Sequence, residues 1–268
     1  MKKVLFQLLL TVALFFLIWF SLSRINWKFI LSIEQATKTT EEKLGDLFWK
    51  VYKTSETEIR RKKIIAPIDT LLSFICTKNH IERNGIKLHI IMKDEINAYT
   101  LPDRHLVVFS GLINACENES ELCGILGHEL AHMEKNHVMK KLIKEVGLSA
   151  LISFTTGNKA GSQAAKELAK TLSSTGYDRT LEREADLASV DYLLNANIDP
   201  EPFATFLFRI AKETGNLPKQ LFWLSTHPDS EERAEKIIET IKNKKITKKN
   251  ILYPETWKSL SLLLNEEE

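Results

Sequence analysis

The five residues from His128 to His132, H-E-L-A-H, constrain the fold of this chain more than any other stretch. Two histidines four positions apart lie roughly 40° apart around a helix axis, so both imidazoles can reach one point. This spacing is typical of a zinc site, with Glu129 beside the metal as a candidate general base. The segment is therefore predicted to be a helix whose histidine face is approached by a further ligand from elsewhere in the chain.

The predicted zinc helix runs from Glu119 to Lys141, with Asn118 or Ser120 as its N-cap. Two glycines, Gly124 and Gly127, lie inside it, each at a cost of about 1 kcal/mol relative to alanine. Glycines retained at that cost usually permit a close approach of another element. We therefore expect a second helix to pack tightly against this one.

His137 is not a third ligand of the metzincin type. That pattern requires glycine at 135 and histidine at 138, where this chain has Lys135 and Val138. The sequence leaves His137 as either a surface residue or a residue behind the ligands.

A second charged helix is predicted from Arg179 to Asn195. In it Glu182 can complete a His₂Glu zinc site, and Asp186, one turn further on, can accept a hydrogen bond from the far nitrogen of a ligating histidine. Glu184 points elsewhere, roughly 160° around the axis from Glu182. The alternative is an ordinary solvated charged helix, which the upstream histidine pair disfavours.

A third stretch, T-H-P-D-S-E-E-R, places His227 in a turn and Arg233 in the first turns of the following helix. Near a tetrahedral intermediate, both side chains would stabilise a developing oxyanion. Without the other two motifs, His227 would be interpreted as an ordinary loop histidine.

Three short strands are predicted directly before the zinc helix: Ile86 to Met92, Asn97 to Leu101, and Arg104 to Ser110. An edge strand of such a small sheet can pair with an extended peptide and lay it across a metal. The strands equally serve to complete a core, and the two uses are compatible.

The N-terminus carries an uncharged apolar run from Val4 to about Phe20 after two lysines. At about 25 Å as a helix, it is near the lower limit for crossing a bilayer. It is either a retained single-pass anchor or a signal peptide cleaved near Ser21 or Ser23. The bulk of the chain is expected on the extracytoplasmic, periplasmic side. We predict an N-terminal segment (1–23), a helical lead-in (24–82) and a catalytic domain (83–268).

Charge and cysteine content exclude several classes of function. The net charge is only +2, and the sequence shows no basic face interleaved with aromatic residues, so nucleic-acid binding is not indicated. The three cysteines, Cys76, Cys116 and Cys123, form no C-x-x-C pair, so a cysteine zinc site is not supported. Buried thiols are favoured over a Cys116–Cys123 bridge.

The motifs together resemble family forty-eight of the metallopeptidases, which includes the HtpX-like heat-shock proteases and the CAAX prenyl proteases. The resemblance covers roughly residues 97–238 and rests on N-A-Y-T-L-P, V-V-F-S-G-L, G-H-E-L-A-H, E-R-E-A-D and T-H-P with the later arginine. It implies an α+β, mostly helical gluzincin-type domain with a small β-sheet beside the zinc helix. Relatives of those two groups have several membrane spans, whereas this chain offers one candidate.

The resemblance also implies roles for individual residues. One Zn²⁺ per chain would be bound by His128, His132 and Glu182, and Glu129 would be the general base in hydrolysis of internal peptide bonds. The remaining roles concern support and charge: Asp186 would hold a ligating imidazole, while His227 and Arg233 would stabilise the tetrahedral intermediate.

Expected partners are unfolded or misfolded proteins, in membrane-associated quality control, and the membrane itself through the N-terminal segment. Two rival functions remain. In one, the domain binds such proteins in a chaperone-like way with little turnover. In the other, the enzyme is latent because His227 becomes a fourth zinc ligand.

Overall fold

The computed structural model of the chain describes residues 3, 7, 10–12, 14–16, 27–155, 159–213, 222–244 and 250–267. It divides into two compact units, residues 1–40 and residues 41–268. The predicted anchor over residues 1–23 lies largely outside the described residues, and those described between 3 and 16 are helical. Within the described ranges, no helix combines the length and the apolar character needed to cross a bilayer.

The described elements are mostly helical, with four short strands. In chain order they are α1 (Trp27–Ser55), β1 (Thr57–Glu58), α2 (Lys62–Lys78), β2 (Lys87–Met92), β3 (Ala98–Leu101), β4 (His105–Phe109), α3 (Ser110–Ala115), α4 (Glu119–Glu134), α5 (His137–Val146), α6 (Leu148–Phe154), α7 (Lys159–Ser174), α8 (Arg179–Asn195), α9 (Glu201–Glu213), α10 (Phe222–Thr226), α11 (Ser230–Ile241) and α12 (Pro254–Asn265).

The strands form one mixed sheet in the order β1-β2-β4-β3. Strands β2 and β4 are parallel, while β1 and β3 pair antiparallel with their neighbours. The three predicted strands are confirmed, each beginning one residue later than predicted. Strand β1 was not predicted, because two residues are too few to show an alternating pattern.

Both faces of the sheet are buried under helices. Successive strand residues point to opposite sides, so neighbouring residues of one strand enter different cores. One face carries Ile90 and Val108 into the core that includes α2 and α4. The other face carries Ile91 and Val107 into a second core with residues of α1 and α5. The sheet is thus fixed between helical layers, and its edge strand β3 lies beside α4.

The predicted zinc helix is wrong in its C-terminal extent. Helix α4 ends at Glu134, and Asn136 takes a left-handed conformation with φ 55° before α5 starts at His137. Asparagine tolerates this conformation better than most residues. Because the apolar spacing resumes after the turn, the sequence pattern does not reveal the break. The cap prediction is confirmed for Asn118, whose side chain accepts a hydrogen bond from the Glu121 amide at 3.1 Å.

The two glycines of α4 do mark close contacts, as expected. A Cβ on Gly124 would lie 2.3 Å from the Cβ of Phe203 in α9, and one on Gly127 would lie 2.7 Å from Ser189 Oγ in α8. The Ser189 hydroxyl also donates a hydrogen bond to the Gly124 carbonyl at 2.8 Å. Helix α8 can therefore approach α4 closely enough for side chains of both helices to share one point.

All three cysteines are buried and unpaired. Burial raises the pKa of the Cys116 and Cys123 thiols well above the usual value. They remain protonated and pack as small apolar groups.

Candidate metal centre and active site

Three side chains from α4 and α8 converge on one buried point. His128 Nε2 and His132 Nε2 are 3.0 Å apart. The Glu182 carboxylate places one oxygen 3.5 Å from His128 Nε2 and the other 3.4 Å from His132 Nε2. None of the three is more than 1% exposed.

These distances fit a zinc ion. Ligands about 2.0–2.1 Å from a tetrahedral zinc lie about 3.4 Å from one another, and the observed separations span 3.0 to 3.5 Å. Two imidazole nitrogens and one carboxylate are also the donor set of a catalytic zinc site. With His227 included, four ligand atoms lie within 4.8 Å of one another. The residues therefore fit the metal.

Asp186 lies behind the first histidine. Its Oδ1 is 2.9 Å from His128 Nδ1. With a proton on Nδ1, this nitrogen donates to the carboxylate, and Nε2 is left with a free lone pair aimed at the shared point. One turn of helix α8 thus carries both Glu182 and the group that orients His128.

Glu129 is fully buried beside the three converging side chains. Its Oε2 accepts a hydrogen bond from Thr100 Oγ1 at 3.1 Å, and its Oε1 lies 3.3 Å from His227 Nε2. Burial by itself would raise the pKa of Glu129, but His227 and the two motif histidines outweigh it, so the pKa is lowered. The carboxylate is consequently ionised near neutral pH, which is the form that accepts a proton.

His227 lies between the ligand point and Glu129. Its Nδ1 is 3.2 Å from His128 Nε2 and 3.1 Å from Glu182 Oε1. Its ring stacks on Trp223 at 4.1 Å between centroids. Burial lowers the pKa of His227, but the carboxylates of Glu182 and Glu129 raise it to about 9.

Arg233 is almost fully buried against the carboxylates of α8. Its Nε and Nη2 donate to the two oxygens of Asp186 at 2.7 and 2.8 Å, and its Nη1 lies 2.7 Å from Glu182 Oε2. Despite burial, the guanidinium and the neighbouring histidines hold the pKa of both carboxyl groups below their usual values. The guanidinium thus contacts carboxylates, whereas the sequence-based role requires it to face a reacting oxygen.

Three further residues of the site were not assigned a role from the sequence. Thr100 holds Glu129 from the edge strand, and Tyr177 stacks on His132 at 4.0 Å between ring centroids. His137 is fully buried, with Nδ1 3.0 Å from His132 Nδ1, so it is not a surface residue. Thr100 lies in the N-A-Y-T-L-P stretch, but no spacing within one element links it to Glu129.

The comparison with known proteins agrees with this geometry. The profile described as "Peptidase family M48" matches residues 65–241, about two thirds of the chain. The chain belongs to peptidase family M48. This is a family of zinc metallopeptidases, and the matched range contains all seven residues singled out by the sequence motifs.

Several curated proteins resemble this M48 chain. It is 29% identical over 179 residues to the "Mitochondrial metalloendopeptidase OMA1" of Schizosaccharomyces pombe, covering 65% of this chain and 52% of that protein. It is 25% identical over 211 residues to the "Beta-barrel assembly-enhancing protease" of Yersinia pestis, covering 74% and 42%. It is 27% identical over 164 residues to the "Metalloprotease LoiP" of Escherichia coli, covering 59% and 64%. The chain thus spans less than two thirds of the length of each.

Proposed function

We propose that this M48 chain is a zinc-dependent metalloendopeptidase that hydrolyses internal peptide bonds of proteins. The observation that carries the proposal is the buried convergence of His128, His132 and Glu182 with an ionised Glu129 beside them. Relatives named as metalloendopeptidases support the same reaction.

In this proposal, His128 Nε2, His132 Nε2 and the Glu182 carboxylate would hold the zinc ion. When bound, the metal supplies Lewis-acid polarisation of a carbonyl and lowers the pKa of water towards about 7. Glu129 accepts the proton of the attacking water at Oε1 while Thr100 fixes its other oxygen. It then delivers the proton to the leaving amine.

The remaining site residues act through charge and orientation. Asp186 holds the His128 ring, and Arg233 holds Asp186 and Glu182, so its role is positioning. His227, whose ring nitrogens lie 3.1 Å from Glu182 Oε1 and 3.3 Å from Glu129 Oε1, presents a ring N–H beside the reacting carbonyl and stabilises the oxyanion.

Strand β3 suggests how a substrate would bind. It is one of the two outer strands of the described sheet, it lies beside α4, and its Thr100 contacts the catalytic glutamate. An extended peptide can add to such an edge through main-chain hydrogen bonds. Folded proteins rarely present a free extended segment, so unfolded or misfolded proteins are the substrates we propose.

We propose that the N-terminal segment, residues 1–23, is a single-pass anchor or a signal segment. It would place the catalytic domain, residues 83–268, on the extracytoplasmic side. Residues 24–82 would form a helical lead-in between the two. The apolar run of the N-terminal segment supports this, as do the helical conformation and exposed apolar side chains of the described residues between 3 and 16. We propose a role in envelope or membrane protein quality control, to which the beta-barrel assembly-enhancing relatives give support.

The test is proteolysis of casein by the full chain and by a Glu129→Gln variant with equal bound zinc. We expect the variant to be at least about 100-fold slower, because the general base is lost. An exposed acid, Glu231→Gln, is the matched control and should cleave at the wild-type rate. A chelator should abolish cleavage and added zinc should restore it. Equal cleavage by Glu129→Gln and wild type would contradict the mechanism.

A latent zinc protein with little turnover is the second candidate, because His227 Nδ1 already faces the ligand point. In that state His227 would be a fourth ligand. X-ray absorption counts the nitrogen ligands, and the His227→Ala variant separates the two functions: cleavage rises if His227 blocks the metal and falls if it stabilises the oxyanion.

A further inference from the structure

The second motif histidine is supported at its edge by another imidazole. His132 Nδ1 is 3.0 Å from His137 Nδ1, and His137 Nε2 is 3.3 Å from Glu184 Oε2. If His132 offers Nε2 to a metal, its proton lies on Nδ1 and is donated to His137 Nδ1. The proton of His137 then lies on Nε2 and is donated to the Glu184 carboxylate. A single assignment of tautomers satisfies the whole chain of hydrogen bonds.

The face of the same imidazole is covered by Tyr177. The two rings stack with centroids 4.0 Å apart and an interplanar angle of 21°. Tyr177 is itself fixed by Lys141 of α5, whose ammonium lies 4.9 Å from the centre of the tyrosine ring and donates to the Thr175 carbonyl at 2.6 Å. The Tyr177 amide also donates to the Thr226 carbonyl at 3.3 Å.

His132 thus has a different kind of support from His128. His128 donates directly to the buried Asp186. Among the described residues, no carboxylate lies within hydrogen-bonding distance of His132 Nδ1, and His137 takes that position. The break between α4 and α5 makes this possible, because the left-handed Asn136 turns the chain so that His137 faces back towards His132.

We propose that His137 and Tyr177 are positioning residues that hold the His132 imidazole in its metal-binding orientation and so set the zinc affinity of the site. The inference rests on the proposed ligand set. His137 fixes the tautomer and the tilt of the ring through its edge, while Tyr177 limits rotation through its face. Neither residue contacts the metal.

The experiment measures the zinc affinity of this 268-residue chain by competition with a chromophoric chelator, independently of proteolysis. We expect His137→Leu and Tyr177→Leu each to weaken zinc binding about 10- to 100-fold, the usual effect of removing a group that orients a ligand. Tyr177→Phe keeps the stacking ring and should bind within about twofold of wild type. Cobalt(II) spectra should be altered in the two leucine variants only.

A matched control is Trp49→Leu, which also removes an aromatic ring stacked on a histidine. Trp49 and His89 stack at 3.5 Å between centroids on the second face of the sheet. This variant should bind zinc with wild-type affinity. If a leucine variant does not fold, as judged by circular dichroism, Tyr177→Met or His137→Met replaces it in the same comparison.

The outcomes separate this inference from the proposed function. His132→Ala with unchanged zinc affinity would show that the ligand set is wrong, and the inference would fall with it. Loss of zinc in His132→Ala together with wild-type affinity in both leucine variants would overturn the positioning role alone. Equal weakening in Tyr177→Phe and Tyr177→Leu would overturn ring stacking as the cause.

Discussion

At the scale of single residues, the site is a compact group of buried charges. Glu129, Glu182 and Asp186 are all ionised by the direction of their pKa shifts, and Arg233 lies against two of them. Buried ions are tolerated only when each has a partner of opposite charge. In the metal-free protein, Arg233 is therefore a main source of compensation for the two carboxylates of α8.

Replacing Arg233 by methionine should destabilise the metal-free protein by about 3–5 kcal/mol, because two carboxylates lose a buried partner. The stability of Arg233→Lys should lie between those of wild type and Arg233→Met, since lysine keeps the charge and loses the forked geometry. Arg179→Met, which removes an exposed ion pair with Asp229, should cost less than about 1 kcal/mol. Urea unfolding in the presence of a chelator measures all three. A similar cost for Arg233→Met and Arg179→Met would contradict the buried-charge account.

At the scale of elements, helix α4 depends on its glycines for its place against α8 and α9. Alanine at position 124 would normally stabilise a helix by about 1 kcal/mol. Here its Cβ would lie 2.3 Å from that of Phe203, a distance that forces the helices apart.

We expect Gly124→Ala to lower the free energy of unfolding by about 1–3 kcal/mol through overpacking of α4 against α9. Phe203→Ala alone leaves a cavity and should also destabilise the protein. The double variant should be less destabilised than the sum of the two, because Phe203→Ala removes two of the three atoms that the new methyl group would meet, Cγ at 2.4 Å and Cδ2 at 2.8 Å, and leaves only the Cβ. Strict additivity in urea unfolding would argue against direct contact as the cause.

The contact of α1 with the sheet contains a second histidine pair, in which His105 is buried and His89 is partly buried. His89 Nε2 is 3.0 Å from His105 Nδ1, and Trp49 of α1 stacks on His89. Burial first, then Lys87 and His89, lower the pKa of His105 to about 3. The other charged groups around this pair are Glu58 on β1, Asp103 in the β3–β4 turn, and Asp46 on α1.

Stability should therefore fall as the pH drops below about 6.5, the unfolded pKa of histidine. Between that pH and about 3, the unfolded chain binds a proton at His105 that the folded protein does not. His105→Asn removes this titration and keeps a donor towards His89. The loss of urea stability between pH 7 and pH 5 should be smaller in this variant than in wild type. An identical loss in both proteins would exclude His105 as a contributor.

At the scale of the whole molecule, the metal site joins helices that are distant in sequence. His128 and His132 come from α4, whereas Glu182 comes from α8, about 50 residues later. Zinc bound by all three would act as a cross-link that exists only in the folded state.

Zinc should raise the free energy of unfolding of the wild-type protein by about 2.7 kcal/mol at a free zinc concentration 100 times the Kd, and its melting temperature should rise accordingly. Differential scanning calorimetry with and without a chelator measures the effect. His132→Ala should show almost no difference between the two conditions. The same increase in wild type and His132→Ala would place the bound zinc at another site.

The sequence by itself determined the local elements of this protein. The four-residue spacing of His128 and His132 predicts a helix, the short apolar runs between Ile86 and Ser110 predict strands, and the family motifs pointed to Glu182 and His227. These features follow from the period of each element, which is a property of neighbouring residues.

Only the tertiary structure decided which residues meet across elements. The left-handed Asn136 turned His137 back onto His132, Tyr177 reached the same ring from the connection between α7 and α8, and Arg233 was placed on carboxylates. Such contacts join residues tens of positions apart, and their distances depend on how helices pack. Periodicity places a side chain on a face of its own helix, whereas the packing of the other helices determines what that face contacts.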